Sequence, residues 1–164
     1  MSGLKTEDLL RAIMKALGSK EDLFLQIEEQ NIDYEGATFC LNQRVYRTRL
    51  AKLTPKKKGY FVAAWEKDAN GTNQAYQYED SPNKLIVSVI DGEKCGQFIF
   101  PKSVLLAKGI LKTATQKGKM AFRVYPNWVS DLNATAKKTQ AWQSDYFIDG
   151  SNGFEAEKLK VMYL

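Results

Sequence analysis

The chain has 164 residues, of which 44% are hydrophobic and 26% charged, so collagen, coiled-coil and disordered classes are excluded and one globular domain is expected. It carries 24 Lys and Arg against 19 Asp and Glu, a net charge of +5. Because the chain has no histidine, the serine–histidine triad, the cysteine–histidine pair and histidine-ligated zinc are also excluded.

The first 30 residues predict two helices. Thr6 is a suitable N-cap for a helix with an apolar stripe over residues 9–17, and Gly18 provides the stop. Ser19, followed three residues later by Asp22, repeats the start signal. A second helix is therefore expected from Ser19 to about residue 30.

Short apolar or alternating runs then predict a series of strands, interrupted by turn residues. The six strands are Ala37–Leu41, Val45–Lys52, Gly59–Trp65, Leu85–Ile90, Gly96–Pro101 and Ala121–Val124. Thr54-Pro55 ends the second strand because proline has no N–H to donate, and residues 68–77 read as a polar loop. A short helix is expected at Lys102–Lys108 and a longer one at Ala134–Phe147. This order predicts an α+β domain with a central, mostly antiparallel mixed sheet flanked by helices.

Alternation along the second strand separates its side chains into two faces. Arg47 and Arg49 share one face and Leu50 lies on the other, which predicts that the arginine face is exposed to water. Lys52 lies on the apolar face near the strand end. It is expected either to extend its ammonium to solvent or to meet a carboxylate such as Asp80.

Basic residues are concentrated in two stretches. Residues 36–65 hold seven basic and no acidic side chains, and residues 94–130 again hold seven and none. If both stretches fold onto one face, they create a positive field that attracts a polyanion. Aromatic residues lie between the cations, and such rings can stack on unpaired bases; the alternative is that the lysines are simply solvated and the aromatics form the core. We expect the three tryptophans, Trp65, Trp128 and Trp142, in the core.

No run of the chain approaches the roughly 18 apolar residues that span a bilayer, and residues 1–17 lack the pattern of a secretory signal. Cys40 and Cys95 lie in apolar or strand-like sequence, where a free cysteine behaves as a small hydrophobic residue. Two cysteines in a chain of this size do not form a disulfide framework. We therefore expect a cytoplasmic protein with no membrane partner.

Four segments together carry a family resemblance. They are residues 49–57 (RLAKLTPKK) with Gly59 and Phe61, residues 96–102 (GQFIFPK), residues 123–126 (RVYP) with Trp128, and residues 139–143 (TQAWQ) with Tyr146 and Phe147. The chain thereby resembles the MepB-like family of bacterial proteins over about residues 34–148. The resemblance implies a core similar to that of restriction endonucleases, and nucleic-acid binding. We expect a single domain over residues 1–164, with a helical segment at 1–33, the family core at 34–148 and a tail at 149–164.

A nuclease with such a core has an aspartate on one strand and Glu-x-Lys or Gln-x-Lys on the next. The carboxylates bind Mg²⁺ and the lysine orients water. The nearest residues here are Asp80 or Asp91, with Gln97 and Lys102, but Gln97 and Lys102 are five positions apart instead of two. Asp80 is expected to turn the chain before Ser81-Pro82. Enzymatic activity is therefore not favoured, no metal site is expected, and Mg²⁺ enters only if the chain is a nuclease.

Three short segments are suited to phosphate. The turn at residues 54–57 presents lysines beside free N–H groups, Lys102 begins a short helix, and Lys119 precedes a strand that carries Arg123. The amides of Gln140 and Gln143 offer groups that could read base edges, although such amides are usually solvated. The residues predicted to contact phosphate are Arg47, Arg49, Lys52, Lys56, Lys57, Lys102, Lys119 and Arg123.

These observations favour a protein that binds nucleic acid, most simply DNA, by gripping its phosphates. Two alternatives stay open. One is a Mg²⁺-dependent nuclease with an unorthodox acidic cluster, and the other is an accessory domain that binds a small anion or a protein.

Overall fold

The computed structural model describes residues 4–164. The α-helices are α1 (Lys5–Ala16), α2 (Lys102–Ala107), α3 (Ala134–Gln143) and α4 (Ala156–Tyr163), and two 3-10 helices lie at Glu29–Tyr34 and Ser144–Tyr146. The strands in chain order are β1 (Gln26–Ile27), β2 (Ala37–Leu41), β3 (Arg44–Leu50), β4 (Lys52–Leu53), β5 (Tyr60–Ala63), β6 (Trp65–Lys67), β7 (Asn73–Ala75), β8 (Lys84–Asp91), β9 (Lys94–Pro101), β10 (Ala121–Val124) and β11 (Phe147–Asp149).

The central sheet has six strands in the order β1-β2-β3-β8-β9-β11. Its neighbours pair antiparallel, except that β3 and β8 run parallel. A three-stranded sheet has the order β10-β5-β4, and β6 pairs with β7. The predicted α+β class with a mainly antiparallel mixed sheet is confirmed. The predicted polar loop at residues 68–77 is wrong in part, because β7 forms within it.

Both faces of the central sheet are buried, and each face has its own core. Along β8, Leu85 and Val87 belong to one core while Ile86 belongs to the other, as alternation along a strand requires. The first core also holds side chains of the three-stranded sheet, α2 and α3. The second is completed by α1 and α4. The near-continuous apolar sequence of β8 follows from this double burial.

Helix α1 is confirmed, but it begins at Lys5, so Thr6 is not its N-cap. The carboxylate of Glu35 takes that role from a distance: it accepts hydrogen bonds from the N–H of Lys5 (3.1 Å), the N–H of Thr6 (2.8 Å) and the Thr6 hydroxyl (2.8 Å). A negative charge at this end also complements the helix dipole.

The second predicted helix is wrong. Residues 19–25 contain no helix, β1 follows, and a 3-10 helix begins at Glu29. Phe24, a large apolar residue within that predicted helix, is 79% exposed. Tertiary contacts override the helix-start pattern at Ser19 and Asp22. In the structure β1 pairs with β2, and the Glu28 side chain turns inward to contact two arginines of β3.

The exposed arginine face predicted for β3 is also wrong. Arg49 is fully buried, and its guanidinium lies 2.5 Å from Glu28 Oε2 and donates to the carbonyl of Thr48. Arg47 is mostly buried, with its Nε 3.3 Å from Glu28 Oε1 and its guanidinium 3.5 Å above the Tyr76 ring. Burial lowers the pKa of both arginines, and the nearby Glu28 carboxylate opposes that shift.

The last part of the chain packs onto the central sheet through α4, whose Leu159 and Tyr163 are buried. Three side chains of β3 and β8 donate hydrogen bonds to the backbone carbonyls of residues 162–164. Arg44 donates to the carbonyl of Leu164, the Tyr46 hydroxyl to that of Tyr163, and the Lys84 ammonium to that of Met162. Two of the donors are cations, which suits the negative end of a helix dipole.

The predicted helix at Ala134–Phe147 is shorter than expected. α3 ends at Gln143, a 3-10 helix follows, and β11 then pairs with β9. Among the helices described over residues 4–164, none combines the length and the apolar character that a bilayer crossing demands.

Candidate functional site

Four of the eight predicted phosphate contacts lie together on one surface. Lys56, Lys57 and Arg123 line a groove of about 500 Å³ between the β4–β5 turn and the start of α3. Lys119 and Arg123 line a second groove of about 250 Å³. The two grooves share Arg123, Tyr125 and Thr139 among their lining residues, so they adjoin each other.

We call the two grooves together the basic groove. It contains two further cations that the sequence did not single out. Its six cations are Lys56, Lys57, Lys58, Lys108, Lys119 and Arg123. The acid-free stretches had contained Lys58 and Lys108, but neither residue stood out from its neighbours. Only the fold shows that they face the same surface.

The lysine turn is held close to β10 by a glycine. Gly59 has φ of +80°, a conformation that favours glycine. A Cβ at this position would lie 2.6 Å from the Tyr125 ring and 2.9 Å from the carbonyl of Val124. Gly59 therefore lets the chain after Lys58 approach the strand that carries Arg123.

Carbonyl and hydroxyl oxygens, rather than carboxylates, hold two of the cations. Lys58 Nζ donates to the carbonyls of Ser130 (3.1 Å) and Asp131 (2.9 Å). Arg123 donates to the carbonyl of Lys58 (3.2 Å) and to the Thr54 hydroxyl. Within residues 4–164, none of the six cations forms an ion pair with a carboxylate. Their positive charge is thus not neutralised by an ion pair, and Asp131 is the acidic residue that lines the groove.

The second groove is partly aromatic. Phe122, Tyr125 and Trp142 line it and are half-buried. Lys108 Nζ lies 5.2 Å from the centre of the Trp142 ring, within cation–π range. The Trp142 ring in turn packs against Phe100 of β9, with 5.6 Å between ring centres. Trp142 therefore touches both the first core and the groove.

The two glutamines of α3 support this surface from inside. Gln143 is fully buried, accepts the N–H of Tyr125 (2.9 Å) and donates to the carbonyl of Arg123 (2.8 Å). Gln140 donates to the carbonyls of Pro126 and Val129 (both 3.0 Å). The interpretation that these amides read base edges is corrected: their donors are taken by backbone groups, and they position the chain around Arg123.

The other four predicted contacts lie elsewhere. Arg47 and Arg49 are committed to Glu28. Lys52 is exposed, with its ammonium 5.2 Å from the centre of the Tyr34 ring. Lys102 Nζ lies 4.5 Å from the centre of the Tyr78 ring. None of these four lines either groove.

The residues considered for catalysis lie in different surroundings. Gln97 is fully buried, where its amide donates to the Ser88 hydroxyl (2.8 Å) and accepts from the Tyr163 hydroxyl, so it cannot contact a substrate or a metal. Asp80 is exposed, and Asp91 accepts from the Tyr60 hydroxyl (2.6 Å). In the described part of the chain, no cluster of three or more acidic or cysteine side chains is placed to bind a metal ion.

Comparison with known proteins gives one family. The MepB-like family model matches residues 28–149. A crystal structure of MepB is similar to the chain with a TM-score of 0.78 and 47% sequence identity, covering 89% of this chain and 97% of that one. No curated protein is significantly similar. All the residues that line the basic groove fall within the region matched by the family model.

Proposed function

This chain belongs to the MepB-like family, and from that premise we propose that it binds nucleic acid, most simply DNA, in the basic groove. The observation that carries the proposal is the convergence of six cations, from three separate parts of the chain, with no carboxylate paired to any of them among residues 4–164. Cations left unneutralised on a concave surface concentrate a polyanion there.

Two finer proposals accompany this one. We propose that the central sheet is related to the core of restriction endonucleases, in support of which β3 and β8 run parallel within an otherwise antiparallel sheet. We also propose that the protein works in the cytoplasm. Cys40 and Cys95 are both free thiols, as is usual in a reducing compartment.

Binding is favoured over cleavage. A Mg²⁺-dependent nuclease holds its metal with carboxylates next to the scissile phosphate. Asp131 is the acidic residue that lines the basic groove, and Gln97 is buried. A small anionic ligand would bind to the same cations, so a competition experiment distinguishes it from nucleic acid. Inorganic phosphate at millimolar concentration should not displace a polymer that makes several contacts at once.

The test is the salt dependence of DNA binding. About five phosphate contacts give a slope of log K against log salt near −4.5 for a duplex or −3.5 for a single strand. In the K56Q/K57Q variant we expect binding to weaken and the slope to become shallower by about 2. Both residues are exposed, so the protein should remain folded.

The matched control is K15Q/K20Q, which also removes two exposed lysines but at the end of α1 and just beyond it. Helix α1 packs on the opposite face of the central sheet from α3. For K15Q/K20Q, the slope of log K against log salt should be nearly that of the unmodified protein. If the two variants lose affinity equally, or if the unmodified protein does not bind at low salt, the proposal is wrong.

A further inference from the structure

We propose that the basic groove accepts a single strand rather than a duplex, with phosphates in the larger groove and one unpaired base against Trp142 in the smaller one. This inference rests on the proposed function, because it takes nucleic acid as the ligand. It adds the form of nucleic acid and the residue that selects it.

The two halves of the basic groove differ in chemistry. The larger half is lined by Lys56, Lys57, Lys58 and Arg123, which are suited to phosphate oxygens. The smaller half keeps Lys108 and Lys119 but adds half-buried aromatic rings. Because the halves adjoin each other at Arg123, Tyr125 and Thr139, one strand can lie across both. A charged half followed by an aromatic half matches the backbone and the bases of a single strand.

The size of the smaller half argues against a base pair. Its volume is about 250 Å³, below the roughly 300–1,000 Å³ of pockets for drug-sized ligands. It has room for one base. In a duplex the bases are stacked and paired, so a base enters such a recess only after it leaves the helix, which costs unstacking energy. In a single strand the bases are already unpaired, so a base enters the recess with little loss of unstacking energy.

Trp142 is fixed firmly enough to act as a platform. Its ring packs on Phe100, which is fully buried in the first core. Lys108 lies 5.2 Å from the ring centre on this surface. We infer that the incoming base stacks on Trp142 while Lys108 moves to the adjoining phosphate. A ring held in place by the core loses little conformational freedom when the base arrives.

The first experiment compares three labelled ligands by fluorescence anisotropy at one salt concentration: a thymidine oligonucleotide, an abasic strand of the same length and a duplex. The abasic strand has the same phosphates but no bases. We expect it to bind roughly 5- to 150-fold more weakly than the thymidine strand, the range for one stacked base, and the duplex also to bind more weakly. Equal binding of all three would overturn the inference.

The second experiment uses tryptophan fluorescence and the W142F variant. Phenylalanine keeps an aromatic ring next to Phe100, so folding should be preserved. The thymidine strand should quench the unmodified protein more than polyphosphate does, and W142F should lose that difference. W65F is the matched control because Trp65 lies on β6 and lines neither groove; it should keep the difference. Quenching that persists in W142F would contradict a base on Trp142.

The outcomes separate the two proposals. If no nucleic acid binds, the proposed function itself fails. If the duplex and the abasic strand bind as well as the thymidine strand, and K56Q/K57Q still weakens all three, the phosphate grip stands and the single-strand inference fails. Should W142F not fold, the comparison of the three ligands on the unmodified protein still decides.

Discussion

Arg49 shows how one buried charge shapes its neighbourhood. Its side chain is fully buried, and Glu28 supplies the carboxylate that compensates it. Gly36 provides the space, since a Cβ there would lie 2.8 Å from an Arg49 guanidinium nitrogen. The same carboxylate contacts Arg47 and accepts from the Tyr76 hydroxyl. Glu28 thus joins β3, the segment before β2 and the residue that follows β7.

Removing that carboxylate should be costly. In E28A, Arg49 would stay buried without a partner, and breaking a buried pair in this way costs about 3–5 kcal/mol. Urea unfolding followed by circular dichroism measures the change. E29A is the control, because Glu29 is exposed and its loss should stay within about 0.5 kcal/mol. Similar losses in the two variants would show that the Glu28 pair does not stabilise the fold.

The sequence could not reveal this pair. Alternation along β3 correctly separates its side chains into two faces, and an arginine is normally exposed. The partner of Arg49 lies 21 positions earlier in the chain, in a segment that was predicted to be helical. Only the pairing of β1 with β2 brings Glu28 next to β3. The burial of Arg49 is therefore a property of the tertiary structure.

At the level of elements, Gln143 joins α3 to β10. Its two hydrogen bonds reach the N–H of Tyr125 and the carbonyl of Arg123. Both of those residues line the basic groove. Gln143, the last residue of α3, therefore fixes the position of the Arg123 backbone beside the groove. Because Gln143 is fully buried, we expect it to position Arg123 rather than to contact a ligand.

The Q143L variant tests this role. Leucine fills similar space but leaves two backbone groups without partners, which should cost about 1–3 kcal/mol of unfolding free energy each. DNA affinity should also fall at temperatures where the variant is still folded. K138A, an exposed change on the same helix, is the control and should leave stability nearly unchanged. If Q143L binds DNA normally, Gln143 has a structural role alone.

Local signals were sufficient for most elements. The apolar stripe of α1, the strands β8 and β9, and the short helix after Pro101 all lie close to their predicted positions. The predictions failed where contacts with residues distant in the sequence determine the structure, as in residues 19–30 and at Gln143. For the site, the acid-free stretches indicated a basic surface, and four of the eight predicted contacts lie on it. The other four have aromatic or carboxylate partners that charge counting does not reveal.

At the scale of the whole molecule, Tyr60 connects the two main sheets. It begins β5 of the three-stranded sheet, and its hydroxyl donates to Asp91 at the end of β8 (2.6 Å). The same hydroxyl accepts from the indole of Trp128 (3.0 Å). Burial, reinforced by the hydrogen bond to Asp91, raises the pKa of Tyr60 to about 12. The ordinary value is about 10.

This shift predicts a loss of stability in alkali. Between about pH 10 and pH 12 the unfolded chain releases the Tyr60 proton while the folded protein retains it, so the free energy of unfolding falls as pH rises. The contribution is fully present below pH 10, and Y60F should remove it. Urea unfolding across this range compares the two proteins. Y60F is expected to lose less stability between pH 10 and pH 12, and parallel curves would contradict the prediction.

The margins of the central sheet have a consequence for association. Its outermost strands are β1, with two residues, and β11, with three. A long, flat border would offer a row of unpaired peptide groups on which a neighbouring chain could extend the sheet. Here each outermost strand is short and offers few such groups. Neighbouring molecules are therefore expected to lie side by side without pairing through these two strands.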